Sequence, residues 1–407
     1  MLKEKTIVLG VTGSIAAYKI ANLASMLVKQ RADVHVIMTQ NATNFINPIT
    51  FETLTGNKCL VDTFDRNFQY NVEHISLAKK SDIFMVAPAS ANIIGKVANG
   101  IADDMLSTTI MACKSPKLIA PAMNTNMFEN PIVQDNLTKL KSFGYEIINP
   151  ETGYLACGDT GAGKLPSEDL LFAHIMKYLH YKKDLVGKNV LVTAGPTIES
   201  IDPVRFISNH STGKMGYAIA KCAMERGAKV TLISGPSALA KPYFVDVINV
   251  QSASDMFAEV KKHMENADFI IKSAAVADYT PQHTATEKIK KSDSELSVPL
   301  MRTDDILLYV GQHKRSNQIL CGFAMETQDL ITNARKKLAN KNADMIVANN
   351  LKIAGAGFGT DTNVVTIIKT DEIKELPILS KDEVAKVILD EMLLMTSELN
   401  QKNILNS

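Results

Sequence analysis

Residues suited to proton or phosphate chemistry sit in short polar segments, each following an apolar run. Gly10-Val-Thr-Gly-Ser14 is the first. Gly13 permits a tight turn, and Ser14 can cap a following helix whose N-terminus points N–H groups at an anion. The GxGxxG fingerprint is missing, so the loop suits a mononucleotide such as FMN better than NAD. Ala87-Pro-Ala-Ser-Ala-Asn92 offers Ser90 and Asn92 to a phosphate or a flavin edge, and Pro121-Ala-Met-Asn-Thr-Asn-Met127 offers amide side chains. His74, in Val72-Glu-His-Ile-Ser-Leu-Ala78, carries an imidazole that titrates near neutrality. Cys157 lies in the glycine-rich stretch Gly153–Gly163, read as a flexible loop that leaves the thiol exposed or lid-borne. Taken singly, each has a plainer reading: a bare strand–helix turn, a packed histidine, a buried cysteine.

The second half carries a different phosphate loop. Thr193-Ala-Gly-Pro-Thr197 and Arg205 lead into Ile207-Ser-Asn-His-Ser-Thr-Gly-Lys-Met-Gly216. Ser211, Thr212 and Gly213 give short hydroxyls and bare backbone at a helix start. It is no Walker A loop, since Gly-Lys-Met replaces Gly-Lys-[Ser/Thr]. Asp278, expected just past a strand, is a reasonable Mg2+ ligand when triphosphate oxygens complete the shell. Lys288, within Glu287–Lys291, can offset the charge of a leaving pyrophosphate, or simply belong to a solvated face. Phe323 can stack a base or pack in a core, and Lys337 and Lys341 share one helix face at i and i+4.

Positioning these groups requires alternating strands and helices, the pattern of parallel sheets covered on both faces. Strands are expected at Thr6–Leu9, Val34–Met38, Ile83–Ala87, Leu118–Ala120 and Tyr145–Ile148, with a helix over Ile15–Lys29 and another beginning at Ser167. The pattern then restarts. Strands follow at Asn189–Thr193, Lys229–Ser234, Asp268–Ile271, Gln318–Phe323 and Asp344–Val347. A helix spans Met215–Arg226, a hairpin Val364–Ile368 with Ile373–Pro377, and an amphipathic helix runs from Lys381. The fold class is therefore α/β, two tandem doubly wound, Rossmann-like domains, residues 1–184 and 185–407.

Composition narrows the function. Across 407 residues, 44 Lys and Arg balance 43 Asp and Glu, which argues against a nucleic-acid partner. No apolar run reaches the roughly 20 residues of a membrane span, and the N-terminus moves straight into a strand pattern. The five cysteines stand singly with no CxxC pair, as expected of a cytoplasmic protein.

Together, His74 in its VEHISLA context, PASAN, GIADD (Gly100–Asp104), PAMNTNM and the LACG loop resemble the flavin-dependent cysteine decarboxylases, including those that act on phosphopantothenoylcysteine in coenzyme A synthesis. The resemblance implies a flavodoxin-like domain binding FMN through Gly13, Ser14, Thr39, Ser90 and Asn92. It implies oxidation of a cysteinyl thiol, loss of CO2 and return of the hydride. His74 matches the family's catalytic histidine, Asn124 its carboxylate-binding asparagine and Cys157 its proton donor; Lys164 stands where the family often has arginine. Residues 187–398 resemble phosphopantothenate–cysteine ligases, with TAGPTIESIDPVRFISNHSTGKMG close to diagnostic. That resemblance implies activation of 4′-phosphopantothenate by CTP as an acyl-cytidylate, then amide formation with cysteine. It assigns Arg205 and Asn209 to the acyl substrate and its turnover, with Asn209 and Lys288 catalytic. Ser211, Gly213, Lys214, Ala274, Asp278, Lys288, Asp304, Asp305, Ile306, Leu307, Phe323, Lys337 and Lys341 go to CTP, with Asp278 also the Mg2+ ligand. Thr303-Asp304 replaces the family's usual Asn-Pro.

The family's trimeric decarboxylase and dimeric ligase domains imply a homo-oligomeric dodecamer. A peptidyl-cysteine decarboxylase would have no reason to carry the ligase segment, a non-catalytic flavin-binding regulatory subunit would lose these residues, and an NAD-dependent dehydrogenase would need the missing fingerprint.

Overall fold

The computed structural model describes the chain except residues 65–72, 157, 292–295, 327–328, 351–356, 358 and 406–407, together with the side chains of 326, 350 and 399–405. Its contacts divide it into two compact units, Met1–Lys182 and Lys183–Ser407.

In the first unit, β1 (Thr6–Val11), β2 (Asp33–Met38), β3 (Ile83–Ala89), β4 (Lys117–Pro121) and β5 (Glu146–Ile147) form one parallel sheet in the order β2-β1-β3-β4-β5. Every residue of β1 and β3 is buried, as expected of central strands covered on both faces. The two-residue period assigns the faces. Ile7, Leu9 and Val11 join Ile83 and Met85 in a core completed by helices Lys19–Lys29 and Glu168–Leu179. Val8, Phe84 and Val86 point the other way, into helices Ala91–Ala98, Met105–Ala112 and Pro131–Ser142. Strand order reverses between β1 and β3, and such a switch point opens a crevice at the carboxyl edge of the sheet.

The glycine-rich stretch expected to be a loop is instead an antiparallel hairpin, β6 (Glu151–Tyr154) with β7 (Thr160–Lys164). Its glycines serve close approach. A Cβ on Gly163 would lie 2.2 Å from the Met123 carbonyl oxygen, and Met123 N–H donates to the Gly163 carbonyl at 3.0 Å. The hairpin is thereby docked on the loop after β4.

In the second unit, β8 (Asn189–Ala194), β9 (Lys229–Ser234), β10 (Asp246–Asn249), β11 (Phe269–Lys272), β12 (Ile319–Glu326) and β13 (Met345–Asn350) run parallel. The pair β14 (Val365–Ile368) and β15 (Ile373–Glu375) joins antiparallel to β13. The order is β10-β9-β8-β11-β12-β13-β14-β15, so the parallel part has the 3-2-1-4-5-6 order of a dinucleotide-binding fold, reversing between β8 and β11. Helices Ala253–Met264 and Ile306–His313 bury Met256, Val260, Ile306 and Val310 against Ile270 and Leu320. Helix Lys214–Glu225 packs with the C-terminal helix Lys381–Leu405, whose buried Val384, Ala385, Ile388, Leu389 and Met392 repeat at helical spacing. Arg226, 3% exposed, ends helix Lys214–Glu225 and joins it to Asp184 at 2.8 Å and to Asp390 at 2.8 Å.

Candidate active sites

In the N-terminal unit, the loops after β1 and β3 are tied together by Thr12, whose hydroxyl donates to the Pro88 carbonyl at 2.6 Å and accepts from Ser90 N–H at 3.0 Å. Gly13 is not in the left-handed region; what it provides is room, since a Cβ there would lie 2.9 Å from Asn41 Cβ. Ser14 Oγ caps the short turn Ile15–Tyr18 by accepting from Ala16 N–H, and Ser90 caps helix Ala91–Ala98, with Asn92 exposed in its first turn. Thr39 follows β2, and its Oγ1 is buried with no hydrogen-bond partner among the described residues.

Asn124 follows β4 and caps helix Thr125–Phe128 through Oδ1, while its Nδ2 donates to Asp159 Oδ2 at 2.8 Å. His74 is the second residue of helix Glu73–Lys80, which leads into the start of β3. A helix feeding a parallel strand runs antiparallel to it, so the His74 end of the helix lies toward the carboxyl edge where the other groups gather. Cys157 lies outside the described residues. The acids of Gly100–Asp104 serve the fold: Asp104 forms a capping box with Ser107, and Lys96 pairs with Asp103 at 2.7 Å and Asp104 at 3.0 Å. Lys164 pairs with Glu151 at 3.5 Å.

The C-terminal unit holds a cavity of about 810 Å³ at its switch point. Asn209, Ser211, Gly213, Lys214, Ala274, Asp278, Asp304, Asp305, Ile306, Leu307, Phe323, Lys337 and Lys341 all line it. Gly213, at φ 83°, is the N-cap of helix Lys214–Glu225, a conformation that side chains with a Cβ rarely adopt. Asn209 Nδ2 donates to the Ala275 carbonyl at 3.0 Å, and Ala274 N–H donates to Thr193 Oγ1 at 3.3 Å. Thr303 bonds the Ala277 carbonyl at 2.6 Å, fastening the Asp304–Leu307 segment beside Asp278.

Asp305 caps helix Ile306–His313 through Leu308 N–H and pairs with Lys341. Burial pushes its carboxyl upward, but the Lys341 and Leu308 bonds and the charge of Lys337 outweigh that and hold it below the usual range. Lys337 donates to the Phe323 carbonyl at 2.9 Å, and Lys214 pairs with Asp361 at 2.7 Å. Phe323 lies within β12, which runs past the expected end of that strand to Glu326; Lys341, expected within a helix, is the C-cap of helix Leu330–Asn340.

Arg205 and Lys288 do not line the cavity. Arg205 pairs with buried Asp202 at 2.5 Å and donates to the Ile289 carbonyl at 2.8 Å, while Ile289 N–H donates to the same Asp202 carboxylate at 3.1 Å. Arg205 and the Lys288 segment thus share one anchor, with Lys288 itself exposed.

The cavity wall adds Lys272, Arg302, Asn349 and Lys381, none of which stood out in the sequence. Lys272 lies inside an apolar strand run, and the others lack any motif. Six basic side chains face three carboxylates in this wall, a balance suited to a polyanion. No group of three or more His, Cys, Asp or Glu side chains able to hold a metal occurs among the described residues. Asp278 therefore fits only a cation that arrives largely coordinated by phosphate oxygens.

Residues 1–180 match a flavoprotein family model, and residues 185–395 match that of the DNA/pantothenate metabolism flavoprotein C-terminal domain. A coenzyme A biosynthesis bifunctional protein (CoaBC) of Bacillus subtilis is 47% identical over 99% of this chain and 100% of its own length. The chain belongs to the CoaBC family. It is a bifunctional coenzyme A biosynthesis enzyme, with a flavoprotein decarboxylase domain followed by a ligase domain. The CoaBC of Borreliella burgdorferi is 44% identical over 96% of this chain and 99% of its own. A cysteine/cysteine sulfinic acid decarboxylase from an unknown prokaryotic organism is 45% identical over 86% of this chain and 99% of its own. A solved CoaBC C-terminal domain, 46% identical, covers 53% of this chain and 98% of its own, with a TM-score of 0.46. No helix among the described residues is long and apolar enough to cross a membrane.

Proposed function

We propose that the C-terminal domain, from about residue 185, joins 4′-phosphopantothenate to cysteine at the expense of CTP, and that the N-terminal domain decarboxylates the product to 4′-phosphopantetheine. One observation carries the ligase reading: separate segments, around Asn209–Lys214, Ala274–Asp278, Asp304–Leu307, Phe323 and Lys337–Lys341, converge on a single basic cavity at the switch point. The triphosphate would lie against Ser211–Lys214 and the helix N-terminus, and Asp278 would help to hold a Mg2+ ion that offsets its charge. Asn209 orients the acyl carboxylate for attack on the α-phosphorus, releasing pyrophosphate. Cysteine's amine then displaces CMP. Arg205 and Lys288, joined through Asp202, act as one unit on the substrate side.

In the N-terminal domain, FMN suits the edge formed by Gly13, Ser14, Thr39, Ser90 and Asn92, where capped helix starts present N–H groups and Thr39 Oγ1 is buried without a partner among the described residues. When bound, it supplies reversible hydride acceptance. Asn124 holds the substrate carboxylate, His74 moves the proton at the thiol and Cys157 reprotonates the decarboxylated product. We assign the enzyme to the cytoplasm, consistent with Cys59, Cys113, Cys222 and Cys321 standing outside any disulfide, and to a homo-oligomer.

The test is to give the purified protein 4′-phosphopantothenate and cysteine with CTP, ATP, GTP or UTP in turn. The expected result is a yellow protein that releases pyrophosphate with CTP and yields phosphopantetheine by mass spectrometry. A colourless protein, or one that makes no CMP, would refute this reading.

A further inference from the structure

We propose that Lys272 reads the nucleoside half of the nucleotide in the C-terminal cavity, its Nζ donating a hydrogen bond to an acceptor on the base or ribose. The inference rests on the CTP reading of that cavity. Lys272 closes β11, is 7% exposed and lines the cavity, yet its Nζ has no hydrogen-bond partner among the described residues. A buried amine left unpaired is costly, so such a group in a cavity wall marks a place where a ligand supplies the partner. The neighbouring lysines differ. Lys214 is held by Asp361, Lys341 by Asp305, Lys337 by the Phe323 carbonyl and Lys381 by the Thr360 carbonyl. A second buried polar atom in the same wall, Oδ1 of Asn349 (6% exposed), also has no hydrogen-bond partner among the described residues. Phosphate oxygens only accept, so Asn349 Oδ1 calls for a donor such as an amino group or hydroxyl of a nucleoside.

Direction separates the nucleoside from the phosphates. Ser273 Oγ lies 2.6 Å from where a Cβ on Gly216 would stand, so Ser273 faces helix Lys214–Glu225, whose N-terminus carries the phosphate loop. Side chains alternate along a strand, which places Lys272 on the opposite face with Ile270. Ile270 packs with Ile306 and Val310 of the helix that Asp305 caps. Burial draws the Lys272 amine down to about 7 while the Asp305 carboxylate acts against it, in keeping with an amine near that helix start. Lys272 therefore points away from Ser211–Gly213 and toward the Asp304–Leu307 end of the cavity.

The experiment compares full-length wild type with Lys272→Met by calorimetry, titrating CTP, CMP, ribose 5-phosphate and tripolyphosphate. Met fills the space of the aliphatic stem and removes a desolvated amine, so the empty variant should melt at the wild-type temperature or above. CTP and CMP affinity should fall about tenfold or more, as for loss of a hydrogen bond involving a charged group, with tripolyphosphate unchanged. A matching loss for ribose 5-phosphate places the contact on the ribose; none places it on the base. Lys272→Gln, which keeps an N–H donor, should recover part of the loss. Unchanged CTP affinity in Lys272→Met, or an equal loss for tripolyphosphate, would overturn the proposal. Wild type that binds no CTP would instead overturn the nucleotide reading itself.

Discussion

At the scale of single residues, the candidate sites are held by side chains already engaged with the backbone or with each other. Asn209 donates to the Ala275 carbonyl within the cavity wall, a geometry that needs an N–H. Asn209→Asp replaces that donor with an acceptor and adds a charge near the acyl group. Pyrophosphate release should persist, while amide formation falls about 100-fold or more, as for loss of one oriented donor. Rapid-quench assays of the two half-reactions check this, and equal loss of both would contradict the assignment. Glu146 supplies a stability test in the other domain. Burial pushes its carboxyl up, but the His174 and Tyr178 bonds and the charge of Lys177 outweigh that and bring it from 4.5 to about 2. A carboxylate depressed in the folded state stabilises fully above its unfolded value, and this contribution is lost as pH falls toward about 2. The N-terminal domain of the wild type should therefore lose melting temperature between about pH 5 and pH 3 more steeply than Glu146→Gln; parallel curves would contradict it. Asn124 and Asp278 could be proposed from the sequence because they sit in motifs that form loops after strands, and His74 because its motif opens a helix. Lys272 and Asn349 could not, since each lies in a strand and only the folded wall shows its unpaired atom.

Elements supply the anchoring that residues need. Asp202 is buried and accepts from the Val204 and Arg205 N–H groups at 2.8 Å, from the Arg205 guanidinium and from Ile289 N–H. The Arg205 guanidinium, ahead of the opposing effect of burial, and these backbone donors hold its carboxyl well below the usual range. Asp202→Asn should loosen the carboxylate anchor that Arg205 and the Lys288 segment share and lower ligase turnover about tenfold or more, as for a broken network of charge-assisted bonds. Decarboxylation of supplied phosphopantothenoylcysteine should be unaffected. A parallel fall in both activities would indicate general misfolding instead. The main strands could be read in advance because they are apolar runs bounded by loop motifs. Others could not, for reasons that two examples show. β10 (Asp246–Asn249) is half exposed and lacks an apolar run. The β6–β7 hairpin is glycine-rich, so its order comes from docking on Met123 rather than from strand propensity.

For the whole molecule, alternating elements pointed to two doubly wound units, but not to which strands are neighbours. The orders 2-1-3-4-5 and 3-2-1-4-5-6 depend on the direction each crossover takes over its sheet, which local pattern does not encode. Both orders place a switch point between loops with complementary chemistry, yet the linings differ. The first offers capped helix starts and short hydroxyls; the second offers a basic cavity able to take a triphosphate. In the proposed order of reactions, bond formation in the second unit precedes decarboxylation in the first. The most direct measurement is release of labelled CO2 from cysteine labelled at its carboxyl carbon. Label should appear only when 4′-phosphopantothenate, cysteine and CTP are all present, whereas supplied phosphopantothenoylcysteine should lose CO2 without CTP. Labelled CO2 from cysteine in the absence of CTP would contradict it.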